Sequence, residues 1–166
     1  MRNPAQTQQF YRADHQTMKR LGIPQLASNN QLVLDAFPEV RLLFQNFTHP
    51  IDTNTESTEV PLAGGSKIWT PGVPKTNFQS PITLVETREG ALIDLSEQLM
   101  AYAGESLDGT SYYGRKERHT RKFRWIDCSL SFEQGIEAAA DGNAQVSVMQ
   151  GTIFFHYYGQ NPNIGG

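Results

Sequence analysis

Apolar residues recur with a helical period in one stretch of this chain and with a strand-like period through most of the remainder. In EGALIDLSEQLMAYAGES, Leu92, Leu95, Leu99 and Tyr102 stand at i, i+3, i+7 and i+10, which places them on one helical face. The pattern predicts a helix over residues 89–103, with Thr87 as N-cap, acidic residues in the first turns and Gly104 at the stop. Its leucine stripe reads as core. From Glu39 the spacing shortens: Val40, Leu42 and Phe44 share one parity in EVRLLFQNFT, as in a half-buried strand. HPIDTNTESTEVP, residues 49–61, is polar and unpatterned, a long loop of the kind that is functional or disordered in a compact domain. Residues 63–81, AGGSKIWTPGVPKTNFQSP, combine two glycines, the apolar pair Ile68 and Trp69, and Pro-Gly turn chemistry, and read as a hairpin or bulged strand. ITLVE, residues 82–86, is a further strand.

The last third predicts two long strands, about 116–132 and 144–158, separated by a turn near EAAADGN. Both change parity partway. Phe123 and Trp125 are odd while Ile126, Cys128, Leu130 and Phe132 are even; Val146 and Val148 are even while Ile153, Phe155 and Tyr157 are odd, with Gly151 at the crossover. A bulge produces such a switch, and so does burial of both faces, one of them against a neighbour. The N-terminal residues 1–35 are Gln- and Asn-rich, with a weak helix over Pro4–Leu21 whose thin stripe of Phe10, Met18 and Leu21 stabilises little alone. Gly22 and Pro24 end it. The expected organisation is therefore an N-terminal arm over 1–35, a mainly β domain with one helix over 36–160, and a short tail over 161–166.

Composition narrows this picture. At 166 residues, 38% hydrophobic and a mean hydropathy of −0.48, the chain is long enough for one core and polar enough that a partner is expected to complete it. No apolar run approaches the roughly 20 residues that span a bilayer, and MRNPAQTQQF has no apolar centre of a secretory leader, so the expectation is a chain that stays in a cytoplasm, with no membrane partner. The lone Cys128 excludes an internal disulfide framework and suits a reducing compartment. The sequon at Asn46-Phe47-Thr48 lies in an expected strand and reads as accidental.

Charge changes the picture more. The net charge of −3 splits into −4 over residues 1–114, +5 over 115–124 and −4 over 125–166. The segment GRKERHTRKFRW thus stands alone as a basic strip on an acidic protein. One reading is a small nucleic-acid-binding β domain, with Arg118, Arg121, Lys122 and Arg124 beside Phe123 and Trp125. The acidic remainder opposes it, because it repels a phosphate backbone everywhere else. A second reading is a contact with other copies or with an acidic partner. A third is a solvated edge strand whose cations discourage aggregation. Charge complementarity favours the second.

Catalytic signals are weak. His15, His49, His119 and His156 are scattered without metal-ligand spacing, Cys128 sits on an apolar parity, and Gly64-Gly65-Ser66-Lys67 lacks the spacing of a phosphate loop. Glu86 with Glu89 and Asp94 with Glu97 read as solvated carboxylates. The expectation is no enzyme, no cofactor and no metal.

The order of elements, carried by EVRLLFQNF, AGGSKIWTPG, SPITLVETREGALIDLSEQLM, RWIDCSLSF and VSVMQGTIFFHYYG, resembles the phage tail tube proteins, which share a fold with the tube-forming Hcp proteins of type VI secretion. The resemblance covers about residues 36–160. It implies a small β-sandwich or split barrel with one flanking helix, six copies joining strands into a ring whose barrel lines a lumen, and rings stacking through a long loop. Carried onto this chain, it implies ring-stacking contacts on the loop from His49 to Lys75, at Asp52, Glu56, Glu59, Lys67, Trp69 and Lys75. It implies an outer helix bearing Glu89, Asp94 and Glu97 toward a sheath. Arg115, Lys116, Arg118, Arg121, Lys122 and Arg124 become subunit or partner contacts. The implied partners are the chain itself, a tail sheath and baseplate or neck proteins, with DNA passing through the lumen without specific binding, in a virion assembled in the host cytoplasm. The N-terminal extension and the basic strip depart from the simple pattern and leave open a specialised ring at one end of the tube.

Overall fold

The computed structural model describes residues 4–22, 28–102, 107–136, 138 and 146–160. In chain order the elements are α1 (Pro4–Leu21), β1 (Asn30–Leu34), a 3-10 helix (Pro38–Leu42), β2 (Phe44–Asn46), β3 (Thr58–Pro61), β4 (Lys67–Thr70), β5 (Asn77–Val85), α2 (Ala91–Ala101), β6 (Gly109–Arg115), β7 (Arg118–Phe132) and β8 (Val148–His156). Six strands form one antiparallel sheet in the order β1-β6-β7-β8-β5-β2, and β3 pairs with β4 as a separate two-stranded ribbon. The chain is mainly β, as its patterning predicts, with two α-helices among the described residues and a sheet that does not close into a barrel.

β7 organises the sheet because it changes partner along its length. Its first half pairs with β6 as far as Trp125; from Ile126 it pairs with β8. The change coincides with a bulge between Ile126 and Ser129, where Asp127 takes a left-handed φ of 50°. That bulge moves burial from the odd residues Phe123 and Trp125 to the even residue Cys128, so the parity switch in the first long strand is a backbone irregularity. β8 has no such switch. Met149, Gly151, Ile153 and Phe155 are buried in unbroken alternation, and Val146, which suggested the opposite parity, lies exposed before the strand begins. Gly151 is there for close packing: a Cβ would stand 2.4 Å from the Ser131 carbonyl oxygen. The core gathers Leu32 and Leu34 from β1, Ile82 and Leu84 from β5, Leu92 and Leu95 from α2, and the stacked rings of Trp125 and Phe155, 3.7 Å apart between centroids.

Several local expectations are corrected. Residues 38–42 form a 3-10 helix and not a strand: Pro38 opens it, the Val40 amide donates to the Phe37 carbonyl at 3.2 Å and the Leu43 amide to that of Val40 at 2.9 Å. Phe37, Val40 and Leu43 recur every three residues and pack on the core, a period that matches 3.0 residues per turn and competes with the period of two read from Val40, Leu42 and Phe44. Leu42 points outward. Residues 30–34, grouped by composition with the N-terminal arm, form edge strand β1. The strand expected from about residue 116 to 132 is β7, Arg118–Phe132, and its basic start is one side of a hairpin, paired with β6 across a turn at Lys116 and Glu117. β5 starts at Asn77, five residues before the expected ITLVE strand. α2 starts at Ala91 because Glu86 and Thr87 cap it from a distance: Glu86 Oε1 accepts from the Leu92 amide at 3.0 Å and Thr87 Oγ1 from the Ala91 amide at 3.1 Å. The expected stop at Gly104, nearly all of the EAAADGN turn and the 161–166 tail lie outside the described residues.

Candidate functional site

The segment read as a long loop is an extended two-stranded arm. Its root is set by paired backbone bonds, Lys75 amide to Thr53 carbonyl at 2.9 Å and Thr55 amide to Val73 carbonyl at 2.8 Å, and by a bridge between Asn54 and Pro74. Its distal part is the β3–β4 ribbon, turned at Gly64 and Gly65 with φ of 90° and 85°. Gly72 lets the two sides approach, since a Cβ there would collide with Thr55 and Glu56. Every residue from Ile51 to Pro71 is exposed. Cross-strand pairing puts Val60 opposite Ile68 on one face and Glu59 opposite Trp69 on the other. The six arm residues therefore split. Glu59, Lys67 and Trp69 meet in the distal half, where Lys67 and Glu59 form an exposed ion pair at 3.4 Å and Trp69 is 70% exposed. Asp52 and Lys75 sit at the root, with the Lys75 ammonium 5.1 Å above the Phe78 ring. Glu56 lies exposed between the two groups.

The root borders a cleft of about 460 Å³ lined by Asp52, Asn54, Lys75, Tyr157, Tyr158 and Gln160, among others. Gly159, at φ 92°, brings the chain against Asp52 where a Cβ would be 3.1 Å from its carboxylate. Burial raises the Tyr157 phenol above its ordinary range, with Gln160 lowering it and Asp52 raising it again, and its hydroxyl completes no hydrogen bond.

The six basic residues also divide. Arg115 and Arg118 face each other across the hairpin end, Arg121 pairs with Tyr113 and Lys122 with Tyr112. Lys116 occupies the turn, where its amide donates to Gln31 Oε1 at 3.0 Å. All five are exposed. Arg124 is engaged within the chain: its guanidinium lies 2.8 Å from Asp35 and 3.4 Å from Asp108 and donates to Thr110 at 3.2 Å. The hydrogen bond to Asp35 heads the causes that raise its pKa. Phe123 and Trp125, at 8% and 0% exposure, point into the core. The hairpin therefore offers cations without the aromatic platforms on which bases stack.

On α2, Glu89 precedes the helix, and Asp94 and Glu97 are exposed on its surface as the patterning predicts. Ile93 and Met100 share the outer face with Glu97 and are themselves exposed, an apolar element that the leucine stripe did not reveal.

A partly buried polar network around His49 has no signature in the sequence. Beyond β2, Thr48 donates its amide to Ser80 Oγ at 2.7 Å and the chain then reaches across to the opposite sheet edge. His49 Nε2 lies 3.0 Å from Asn30 Oδ1, His49 Nδ1 is 2.9 Å from Ser111 Oγ, and Trp125 Nε1 donates to that same oxygen at 3.0 Å. One tautomer satisfies all three bonds: Nε2–H donates to the Asn30 carbonyl and Nδ1 accepts from the Ser111 hydroxyl. Phe47, Tyr113 and Phe123 surround the ring. Burial lowers the His49 pKa to about 4, so it stays neutral. The order Ser-His-Asn suggests a nucleophile and its base. Ser111, however, is fully buried and its oxygen already accepts from Trp125, so the group works as a brace between the edges carrying β1 and β2. Cys128 is equally inert, its thiol raised to about 12 by burial first and by Asp108 next. Among the described residues no three His, Cys, Asp or Glu side chains gather to hold a metal, and no helix is long and apolar enough to cross a membrane.

No protein-family model matches the chain, and no curated protein matches it. Among solved structures, a chain of an extracellular contractile injection system, the PVC sheath-tube complex in its extended state, superposes with a TM-score of 0.54 at 15% identity, covering 84% of this chain and 92% of that one. The two chains are thus close in length, and this chain has the fold of a component of a sheath-tube assembly.

Proposed function

We propose that this chain is a structural tube subunit of a phage tail, whose copies join into hexameric rings that stack into a conduit for the genome. The observation that carries this reading is the exposed arm from Ile51 to Thr76. A two-stranded ribbon is marginal in water by itself, and this one leaves Val60, Leu62, Ile68, Trp69 and Val73 exposed, so a second surface must cover it. The likeness to a chain of a sheath-tube complex supports the reading, and the next ring is the surface that covers the arm. The basic hairpin then meets acidic surface on a neighbouring copy or partner, and the outer face of α2, with Ile93, Glu97 and Met100, faces a sheath. Baseplate or neck proteins complete the partners, and DNA passes without being gripped. A specialised tube-end ring is the variant of this reading that the N-terminal helix and the basic hairpin leave open.

Negative-stain microscopy of the purified protein, alone and with its neighbouring virion proteins, tests the proposal. Rings about six-fold in projection or stacked tubes are the expected result. Uniformly monomeric particles at every concentration, in both conditions, would sink it. A nucleic-acid role would instead show as low-salt binding that falls steeply with added salt and depends on Arg118, Arg121 and Lys122.

A further inference from the structure

We infer that the groove between α2 and the 3-10 helix is the seat for α1 of a second copy of this chain. This rests on the reading that the protein self-assembles, and names a contact which that reading does not require. The groove holds about 390 Å³ and is lined on one side by Phe37, Glu39 and Val40 and on the other by Ala91, Asp94 and Leu95. The α2 residues stand at i, i+3 and i+4, one helical face, and Tyr102 meets Phe37 edge-on at 5.7 Å close by. Its floor is apolar and its rims carry Glu39 and Asp94, both exposed.

α1 has the complementary shape. At 100° per residue, Phe10, Leu21, Met18 and Tyr11 fall within about 100° of arc, with Thr7 and Asp14 inside it. All four apolar side chains are exposed. Lys19 and Arg20 lie roughly 80° beyond opposite edges of that arc, placed to reach down to the two acidic rims while the ridge enters the groove. Gln98, which also lines the groove, provides an amide donor for Asp14. The lengths match as well: Phe10 to Leu21 rises by about 16 Å, as do the eleven residues of α2. A second copy is the occupant because in the single chain the stripe stays exposed and the groove open. The eight steps from Gly22 to Asn30 extend to at most about 28 Å, enough to cross to an adjacent subunit. Each subunit then gives one helix and receives one, a head-to-tail contact that closes when copies form a ring.

Disulfide trapping between differently labelled chains tests this. Met18→Cys in one full-length protein and Gln98→Cys in another, mixed and oxidised, should yield the mixed dimer, with at least fivefold less dimer from either protein alone. Asp94→Lys should reduce that yield several-fold, and Lys19→Glu with Arg20→Glu on the helix-giving chain should restore it. Rings or tubes that form without the mixed disulfide, and that are unchanged by deletion of residues 1–22, would overturn the inference and leave the tube reading standing. A Met18→Cys, Gln98→Cys double variant that closes within one chain at high dilution would also overturn it, by placing the helix in its own groove. Full-length protein that stays monomeric throughout would remove the self-assembly reading and this inference together.

Discussion

His49 shows how one side chain can hold an open sheet together and tie its stability to pH. Its pKa is near 4 in the folded chain and about 6.5 when unfolded, so the unfolded state binds the extra proton first as pH falls. The contribution is complete above about pH 6.5 and is lost as pH drops toward 4, because protonation of Nδ1 turns an acceptor into a donor facing the Ser111 hydroxyl. A shift of that size caps at roughly 3 kcal/mol and, for a ring that is only half buried, amounts to about 1–2 kcal/mol. Thermal melts between pH 7 and pH 4.5 should show wild-type stability falling faster than that of His49→Phe; parallel curves would remove His49 as the cause. Cys128 gives a second test. With its thiol raised to about 12, it should resist thiol reagents in native buffer at pH 8 and react at once in denaturant, and fast native labelling would contradict the burial observed at β7.

At the scale of elements, what could be read from the sequence follows from whether a residue's partners are near or far along the chain. The stripe of Leu92, Leu95 and Leu99 locates α2 because helical contacts are local, and α1 follows from its spacing and the stop at Gly22 for the same reason. The 3-10 helix was hidden because Phe37, Val40, Leu43 and Val40, Leu42, Phe44 offer two periods, and only burial against the core selects the first. β6 was hidden because GTSYYGR is polar by composition, yet Thr110 and Ser111 are buried by partners on β7 and at His49. The arm shows in the sequence as a long segment but its ribbon register does not, since every residue of β3 and β4 is exposed and no alternation marks a face. That independence gives a prediction. Replacing residues 54–74 by Asn-Gly joins Thr53 to Lys75, which are already hydrogen-bonded, and should change the melting temperature by only a few degrees while abolishing stacked assemblies. Loss of folding would show the arm to be part of the core, and undiminished stacking would separate it from ring-to-ring contact.

Over the whole molecule, the +5 segment between two stretches of −4 becomes a directional feature once its placement is known. Arg124 is neutralised inside the chain by Asp35 and Asp108, which leaves Arg115, Lys116, Arg118, Arg121 and Lys122 exposed together on one hairpin. Glu117 is the acidic residue there, and it lies 3.8 Å from Arg41. A surface with cations at one end and carboxylates on the arm and α2 favours oriented association over random collision. Arg121→Glu with Lys122→Glu should therefore leave the melting temperature within a few degrees of wild type, because both side chains are exposed, and weaken assembly at least tenfold. The same variant should flatten the salt dependence: wild-type assembly weakens as ionic strength rises from 50 to 500 mM, about a threefold shortening of the screening length, whereas the reversed hairpin responds less. Light scattering across that range would read both effects at once. A lowered melting temperature with unchanged assembly would assign these residues to the fold, and an unchanged salt response would place the electrostatic contact elsewhere on the molecule.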